Sequence, residues 1–307
     1  MQTEQIALAL SKHLPGVMRW AAALAKQLRK HNIALDGKSS GNANTDALTL
    51  ADLTVQELLV GALRDGDPVF RQCRLECEET TGDLARFASQ SPYVISIDPI
   101  DGTKQYRDRT GNGYCVMLHL RTRETVHYSL VLIPELGEYG TWVEVHGSRI
   151  VCGPDDPSRP AVNVLSSMSG IERSHLSLGR KVYLIGFQQH DVDRAKRVTE
   201  IGLEGVPPDE MPGSIYELMA HGTFGGSLIH SPNVYDFPVS LHIARVLGGD
   251  AVWVHNRQPV NFAEVWLDER AHMFRLPGIV ACSPDRATMD RLCTLAKDWN
   301  PVRYVVD

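Results

Sequence analysis

The sequence lacks the features that mark nucleic-acid-binding, membrane-spanning and disordered proteins. It contains no run of lysine or arginine, and its 31 basic against 37 acidic side chains leave a net charge of −6. A nucleic-acid-binding surface needs clustered basic residues, so we expect no nucleic-acid partner. No stretch approaches the roughly 18 consecutive apolar residues that a membrane-spanning helix requires, so we expect no membrane partner. With 43% hydrophobic and 22% charged residues, the composition is that of an ordinary globular protein.

Cysteine pairs are also missing from the sequence. The six cysteines are scattered, and none forms a C-x-x-C pair. We therefore expect reduced and mostly buried thiols rather than a disulfide framework or a zinc site. Charged residues are spread through the apolar pattern of residues 1–29, unlike the compact apolar block of a secretory signal. These observations predict a cytoplasmic protein.

The apolar patterns of the first half predict helices followed by an antiparallel meander. Apolar residues at three- and four-residue spacings predict a helix over the first thirty residues, and a second helix over about 50–63 begins at Thr49. Polar residues 37–44 predict a loop. Short β-branched runs with brief turns between them predict strands at 93–97, 113–120, 127–133 and 139–145.

A boundary between two halves is predicted at residues 153–160, where a glycine and three prolines disfavour regular structure. Together with the chain length, this predicts an N-terminal domain at 1–155 and a C-terminal domain at 156–307. In the C-terminal domain we expect strands at 181–187, 251–254 and 278–282, and helices at 191–201, 214–221, 236–247 and 288–297.

The segment with the clearest chemistry is residues 98–103, which read Asp-Pro-Ile-Asp-Gly-Thr directly after the strand predicted to end at Ile97. Two carboxylates three residues apart, with a proline between them, can converge on one point. Gly102 lets a ligand approach the backbone, and a helix that begins at Thr103 favours a bound anion. Carboxylates beside an anion site suit Mg²⁺, which keeps several waters and is completed by substrate phosphate. A surface turn with capping aspartates explains this segment equally well when it is considered alone.

Further acids flank this segment. Glu78 and Glu79 lie about twenty residues upstream, Asp52 lies near the start of the second helix, and Asp236 lies where the late helix is predicted to begin. Each has an ordinary explanation by itself: a solvated pair for the two glutamates and a helix cap for Asp236.

In this order and spacing, the segments resemble the inositol monophosphatase superfamily of magnesium-dependent, lithium-sensitive phosphatases. Residues 49–52 match its early T-x-A-D motif, residues 77–79 its G-E-E motif, and residues 98–103 its D-P-[IL]-D-G-T motif. Residues 213–214 match its G-S/T motif, and residues 235–236 and 248–249 match its late W-D motif and the G-G that ends the following helix. The resemblance covers roughly residues 45–254. It implies a five-layered αβαβα sandwich of the inositol monophosphatase and fructose-1,6-bisphosphatase type, and a homodimer.

The resemblance also implies a role for each matched residue, with two or three Mg²⁺ per site. Glu78, Asp98 and the carbonyl of Ile100 would hold the first ion, and Asp98, Asp101 and Asp236 the second. Glu78 and Thr103 would orient a metal-activated water, and Asp52 would accept from the Thr103 hydroxyl or support a third metal. Six of the matched residues, some of them also metal ligands, would bind substrate: Asp101, Gly102, Thr103, Gly213, Ser214 and Asp236.

The predicted activity is therefore hydrolysis of a small phosphorylated metabolite, an inositol or sugar phosphate. Ile229 stands where inositol monophosphatases have a glutamate that touches substrate hydroxyls, and His230 beside it is a candidate for lining the pocket. Lys104, followed by a polar and an aromatic residue, looks more like the CysQ branch of 3′(2′),5′-bisphosphate nucleotidases. Arg107 and Arg109 are the nearest candidates for a second phosphate. A non-catalytic binding protein that keeps the fold is the remaining alternative, because Pro238 and its neighbours alter the late helix.

Overall fold

The computed structural model describes residues 2–31, 33–35, 47–211 and 213–304, so the loop predicted at 37–44 lies outside the described residues. The chain opens with helix α1 (Gln2–His31), as predicted, because Ile6, Leu10, Leu14 and Met18 form one buried face. Helix α2 (Leu50–Asp65) is capped by Thr49, as predicted. The two helices pack on one face of the first sheet.

The first sheet has six strands in sequence order: β1 (Arg74–Cys77), β2 (Val94–Asp101), β3 (Cys115–Arg121), β4 (Val126–Ile133), β5 (Thr141–His146) and β6 (Arg149–Pro154). Strands β2 to β6 pair antiparallel, so the predicted meander is confirmed. Strand β1, which pairs parallel to β2, was not predicted. The expectation that residues 153–160 are irregular throughout is wrong, because β6 continues to Pro154. Pro154 lies on an edge strand, where a missing N–H is tolerated.

The second sheet has five strands: β7 (Lys181–Ile185), β8 (Glu204–Val206), β9 (Phe224–His230), β10 (Asp250–Trp253) and β13 (Ile279–Ser283). Their spatial order is β10–β13–β9–β7–β8. A separate hairpin is formed by β11 (Trp266–Asp268) and β12 (Met273–Arg275). The shorter helices are α3 (Thr103–Asp108), α4 (Ala161–Ser167), α5 (Asp191–Glu200), α6 (Tyr216–Ala220), α7 (Phe237–Val246) and α8 (Arg286–Ala296).

Side-chain alternation along the strands builds the layers. On β3, Val116, Leu118 and Leu120 join the core with α1 and α2, whereas Cys115 and Met117 join the core with α6 and α7. The second sheet covers the other side of α6 and α7 and carries α5 and α8 on its outer face. The order is therefore helices, sheet, helices, sheet, helices, and the predicted five-layered αβαβα sandwich is confirmed.

The predicted division near residue 155 stays a prediction. Helix α4 lies beyond it in sequence, but its Val164 and Leu165 pack into the core that contains α1 and α2.

Candidate active site

A β-bulge in β2 brings two aspartates to the same face of the first sheet. Asp98 pairs with Met117 and Asp101 with Cys115, so three steps along β2 match two steps along β3. In a regular strand, residues three apart face opposite sides, and one extra residue restores the same side. The prediction that the strand ends at Ile97 is therefore wrong, because β2 continues through both carboxylates to Asp101.

The third aspartate comes from the layer between the sheets. Asp236 stands at the start of α7, but its carboxylate makes no capping hydrogen bond to that helix. It accepts instead from Asn233 Nδ2 at 2.9 Å, and Asn233 Oδ1 holds the turn by accepting from the backbone of Tyr235 and Asp236. Ligand atoms of Asp98, Asp101 and Asp236 all lie within 4.8 Å of one another. In the described part of the chain, no other group of three or more acids, histidines or cysteines converges in this way.

Glu78 completes the acidic wall of the cleft. It follows β1, and its backbone N–H donates to Ile97 O at 3.1 Å, so the sheet pairing extends to it. The buried Gln56 of α2 holds the next residue, Glu79, through both backbone groups, at 2.7 and 3.0 Å. The cleft has a volume of about 120 Å³, and its lining includes Glu78, Asp98, Ile100, Asp101, Gly102, Thr103, Gly213, Ser214 and Asp236.

Burial and mutual repulsion raise the pKa of the three clustered aspartates. For Asp98 the main cause is burial, followed by the charges of Glu78, Asp101 and Asp236, and its pKa lies well above the usual range. Burial and nearby acids also raise the pKa of Asp101 to about 6 and that of Asp236 to about 8. Asp98 Oδ1 is buried and has no hydrogen-bond partner among the described residues. Closely spaced carboxylate oxygens with an unused lone pair are a donor set that fits a hard divalent cation.

Thr103 and Asp52 form a pair behind this wall. Thr103 Oγ lies 3.2 Å from Asp52 Oδ1 and 2.7 Å from Ile100 O, and its single proton can go to only one of them. The other oxygen of Asp52 accepts from the backbone and hydroxyl of Thr49, so a helix cap fixes its position. Burial raises the pKa of Asp52 to about 7. Asp52 is not among the residues that line the cleft, so it reaches the cleft only through Thr103.

Glycines allow two distant chain segments to approach closely at the cleft. Gly213 pairs with Gly113 in an isolated bridge, and the N–H of Ser214 donates to Gly113 O at 2.8 Å. Gly102 has a φ of +84° and precedes α3, and a Cβ there would stand 3.3 Å from the Cα of Gly213. The expected helix at 214–221 is shorter, Tyr216–Ala220, because residues 213 and 214 are in this bridge.

Two buried arginines form a basic wall that no sequence pattern indicated. Asp268 accepts from Arg275 Nε at 2.7 Å, and its Oδ2 lies 3.5 Å from Arg303 Nε. Arg275 also donates to Ser231 O, and Arg303 to His230 O. Both arginines line the cleft, together with Ile229, His230, Tyr183 and Tyr216. Only the pairing of β11 with β12 and the path of the C-terminal segment bring them there, so no local pattern marked them.

The basic candidates from the sequence have other partners. Lys104 pairs with Asp209 at 2.7 Å, Arg107 pairs with Asp108, and Arg109 donates to backbone carbonyls of α1. None of the three lines the cleft.

Comparison with known proteins identifies the family. A sequence profile of the inositol monophosphatase family matches residues 10–197, more than half of the chain, and the protein belongs to that family. It is therefore a phosphatase, a phosphoric monoester hydrolase. No curated protein matches it closely enough in sequence to count as a relative.

Solved structures confirm the fold. The inositol monophosphatase from Anabaena (Nostoc) sp. PCC 7120 is similar with a TM-score of 0.61 at 15% identity, over 97% of this chain and 98% of that one. An IMPase/NADP phosphatase complexed with Mg²⁺ and phosphate has a TM-score of 0.66 at 13% identity, over 98% and 97%. CysQ from Bacteroides thetaiotaomicron has a TM-score of 0.61 at 16% identity, over 92% and 98%.

In the described part of the chain, no helix is both long enough and apolar enough to cross a bilayer.

Proposed function

We propose that this protein is a Mg²⁺-dependent phosphomonoesterase that hydrolyses a small phosphorylated metabolite of the inositol or sugar phosphate class. The observation that carries the proposal is the convergence of Asp98, Asp101 and Asp236, with Glu78 on the same cleft wall. When these acids are ionised they repel a phosphate monoester, and bound cations would remove that repulsion. Hydrolysis of such an ester is mainly a matter of positioning and charge neutralisation.

We infer the role of each residue from the family resemblance and from its position in the cleft. Glu78, Asp98 and the carbonyl of Ile100 would hold one Mg²⁺, and Asp98, Asp101 and Asp236 would hold a second. Bound Mg²⁺ would neutralise phosphate charge and lower the pKa of a water molecule. The backbone N–H groups of Gly102 and Thr103 at the start of α3 would hold phosphate oxygens, with the N-terminal end of α3 adding to the attraction.

Thr103 would position the attacking water, and Asp52 would position Thr103. A hydroxyl donates to one group and accepts from another. Donation to Asp52 Oδ1 at 3.2 Å, rather than to Ile100 O at 2.7 Å, would leave that carbonyl available to Mg²⁺ and the Thr103 oxygen able to accept from the water. A third metal at Asp52 is less well supported, because Asp52 lies behind Thr103 and outside the cleft lining.

A panel of phosphate esters tests the activity. Inositol 1-phosphate, fructose 1-phosphate and 3′-phosphoadenosine 5′-phosphate are incubated with the protein in Mg²⁺ or EDTA, and released phosphate is measured. We expect turnover that needs Mg²⁺ and falls with lithium. The variant Asp98→Asn should lose on the order of 100-fold or more in kcat, while the matched control Asp290→Asn, an exposed acid on α8, should retain wild-type rates. Normal rates in Asp98→Asn would contradict the mechanism, and no turnover of any ester would favour the non-catalytic binding protein.

Thr103 is tested separately because it acts on the water rather than on the metal. Thr103→Val should lower kcat on the order of 100-fold, whereas Thr103→Ser keeps the hydroxyl and should retain most activity. Equal activity of the two variants would remove the hydroxyl from the mechanism.

A second candidate function is hydrolysis of 3′(2′),5′-bisphosphate nucleotides, as in the CysQ branch. Two observations support it. Ile229 lines the cleft and offers no acceptor to substrate hydroxyls, and Arg275 and Arg303 supply positive charge on the wall. The comparison of 3′-phosphoadenosine 5′-phosphate with inositol 1-phosphate separates the two.

The cellular setting and assembly are part of the same proposal. Six free cysteines, four of them buried, support a reducing compartment such as the cytoplasm. The resemblance to the family supports a homodimer, which light scattering of the purified protein would detect.

A further inference from the structure

One face of helix α2 carries two buried polar side chains, Asp52 and Gln56. They are 1% and 0% exposed, and residues four apart on a helix point to the same side. Neither side chain lines the cleft, but each contacts a segment that does. Asp52 lies 3.2 Å from the hydroxyl of Thr103, and Gln56 binds the backbone next to Glu78. Helix α2 therefore stands behind the cleft wall and supports it at two points.

Three hydrogen bonds hold Gln56 against this backbone. Its Nε2 donates to Glu79 O at 2.7 Å and to Thr81 O at 2.8 Å, and its Oε1 accepts from Glu79 N at 3.0 Å. Carbonyl oxygens can only accept and a backbone N–H can only donate, so these partners fix the orientation of the side-chain amide. Because the site is buried, an apolar side chain in place of Gln56 would leave three backbone groups without partners, which is costly.

These bonds set the direction of the Glu78 side chain. The N–H of Glu79 belongs to the peptide unit that follows the Glu78 Cα, and Gln56 Oε1 holds that unit. The N–H of Glu78 belongs to the peptide unit before it, which Ile97 O holds at 3.1 Å. The backbone has only two free dihedral angles at each residue, so holding both flanking units fixes the direction of the Cα–Cβ bond. Since Ile97 precedes Asp98, the same contacts place Glu78 relative to the clustered aspartates.

The chain after Glu78 follows α2 for a further turn. Gly82 has a φ of +104°, and a Cβ there would stand 3.0 Å from Val60 Cγ2. Residues 79–82 therefore lie along the helix from Gln56 to Val60, and a side chain at Gly82 would press them away from it. Of these two contacts, the one with Gln56 is the closer in sequence to Glu78.

From these contacts we propose that Gln56 is a positioning residue for Glu78, and through Glu78 for the metal ion that this carboxylate would bind. The inference rests on the proposed function, in which Glu78 holds Mg²⁺ and orients the attacking water. One face of α2 then sets both groups that orient this water, because Asp52 positions Thr103 and Gln56 positions Glu78. Removing a group that orients a metal ligand typically weakens metal binding or activity by about 10–100-fold.

Replacing Gln56 by methionine tests the proposal. Gln56→Met keeps the length of the side chain but loses all three hydrogen bonds. Mg²⁺ is titrated by calorimetry into the metal-free protein with no substrate present, and we expect the dissociation constant of at least one ion to rise on the order of 10-fold. Phosphate release should then need a correspondingly higher Mg²⁺ concentration for half-maximal rate. A wild-type Mg²⁺ isotherm for Gln56→Met would overturn the proposal.

A control on the same helix separates positioning from loss of stability. Leu63→Ala removes a fully buried side chain two turns beyond Gln56, in the core that contains α1. The melting temperatures of both variants should fall, but Leu63→Ala should keep the wild-type Mg²⁺ isotherm. Equal weakening of Mg²⁺ binding in the two variants would mean that Gln56 acts only through stability, and would also overturn the proposal.

A second variant decides the matter if Gln56→Met does not fold. Gly82→Ala presses residues 79–82 away from Val60 while Gln56 itself stays in place, and we expect it to weaken Mg²⁺ binding. Its control is Gly147→Ala, where φ is +60° and a Cβ would meet no atom within 4 Å, so the conformational cost comes without the displacement. Equal Mg²⁺ isotherms for the two glycine variants would count against positioning by this segment and overturn the proposal.

Because binding is measured without substrate, this proposal and the phosphatase function fail separately. Weaker Mg²⁺ binding in Gln56→Met, together with no turnover of any ester by the wild-type protein, would support the role of Gln56 and overturn the phosphatase assignment. Mg²⁺-dependent turnover by the wild-type protein, together with a wild-type isotherm for Gln56→Met, would do the reverse.

Discussion

Replacing Gly213 by alanine tests how closely the segments at Gly113 and Gly213 must approach to form the cleft. The residue has a φ of +143°, a backbone conformation that side chains other than hydrogen rarely allow. A Cβ at this position would lie 2.3 Å from the carbonyl carbon of Gly113 and 2.5 Å from the backbone nitrogen of Tyr114. Both contacts are with backbone, so no side-chain rotation relieves them.

The magnitude follows from these distances. Carbon atoms in contact stay about 3.5–4.0 Å apart, so the two backbone segments must separate by about 1 Å. That movement breaks the 2.8 Å hydrogen bond from Ser214 N to Gly113 O. Overpacking of this kind costs about 1–3 kcal/mol, and the positive φ adds about 1–2 kcal/mol. We expect Gly213→Ala to lower the free energy of unfolding by about 2–5 kcal/mol, and the 1 Å displacement to lower kcat/KM on the order of 100-fold.

Gly147→Ala is the matched control. Gly147 has a φ of +60°, and a Cβ there would meet no atom within 4 Å, so this variant carries only the conformational cost. Urea unfolding and phosphate release are measured for both variants. The reasoning fails if Gly213→Ala unfolds at the same urea concentration as Gly147→Ala and keeps wild-type kcat/KM.

Four further predictions concern charge. Asp98→Asn should raise the melting temperature of the protein in EDTA, because it removes repulsion among buried acids, and calorimetry showing a lower value would contradict the electrostatic account. The raised pKa values of Asp101 (about 6) and Asp236 (about 8) mean that the metal-free protein binds more protons than its unfolded chain. Its stability should therefore fall as pH rises from about 4 to about 8. The affinity for Mg²⁺ should rise over the upper part of that pH range, and binding should release protons from these carboxyl groups. Titration calorimetry in buffers of different ionisation enthalpy measures the number of protons released, and a value of zero would refute the prediction. Arg29→Ala should lower the free energy of unfolding in urea by about 3–5 kcal/mol, because it removes a buried cation that binds three backbone carbonyls. The control Lys30→Ala should change that free energy by no more than about 0.5 kcal/mol. Similar values for the two variants would count against a structural role of the Arg29 cation.

Local patterns were enough to predict much of the fold. The periodicity of α1, the Thr49 cap of α2 and the β-branched runs of the meander each reflect energies that are decided within a few residues. The order and spacing of the acidic motifs likewise singled out Glu78, Asp98, Asp101 and Asp236. Periodicity and capping act over one or two turns, so they can be read without knowing what packs against them.

Other features of the candidate active site depend on residues that are distant in the sequence. The bulge that brings Asp98 and Asp101 to one face is set by the pairing of β2 with β3. Gln56, which holds Glu79, had no local signal because its role exists only once α2 packs beside the segment that follows β1.

The sequence by itself was enough to predict the helices and strands that build the layers, the acidic motif and, through the family resemblance, the phosphatase class. Only the tertiary structure decided the shape and charge of the space around that motif. Arg275 and Arg303 reach the cleft because Asp268 holds both of them, and Arg194 of α5 stacks on the ring of Trp299 near the C-terminus. The contacts of Asp268 with Arg303 and of Arg194 with Trp299 join residues far apart in the chain, so their energies are gained only when these distant segments have come together.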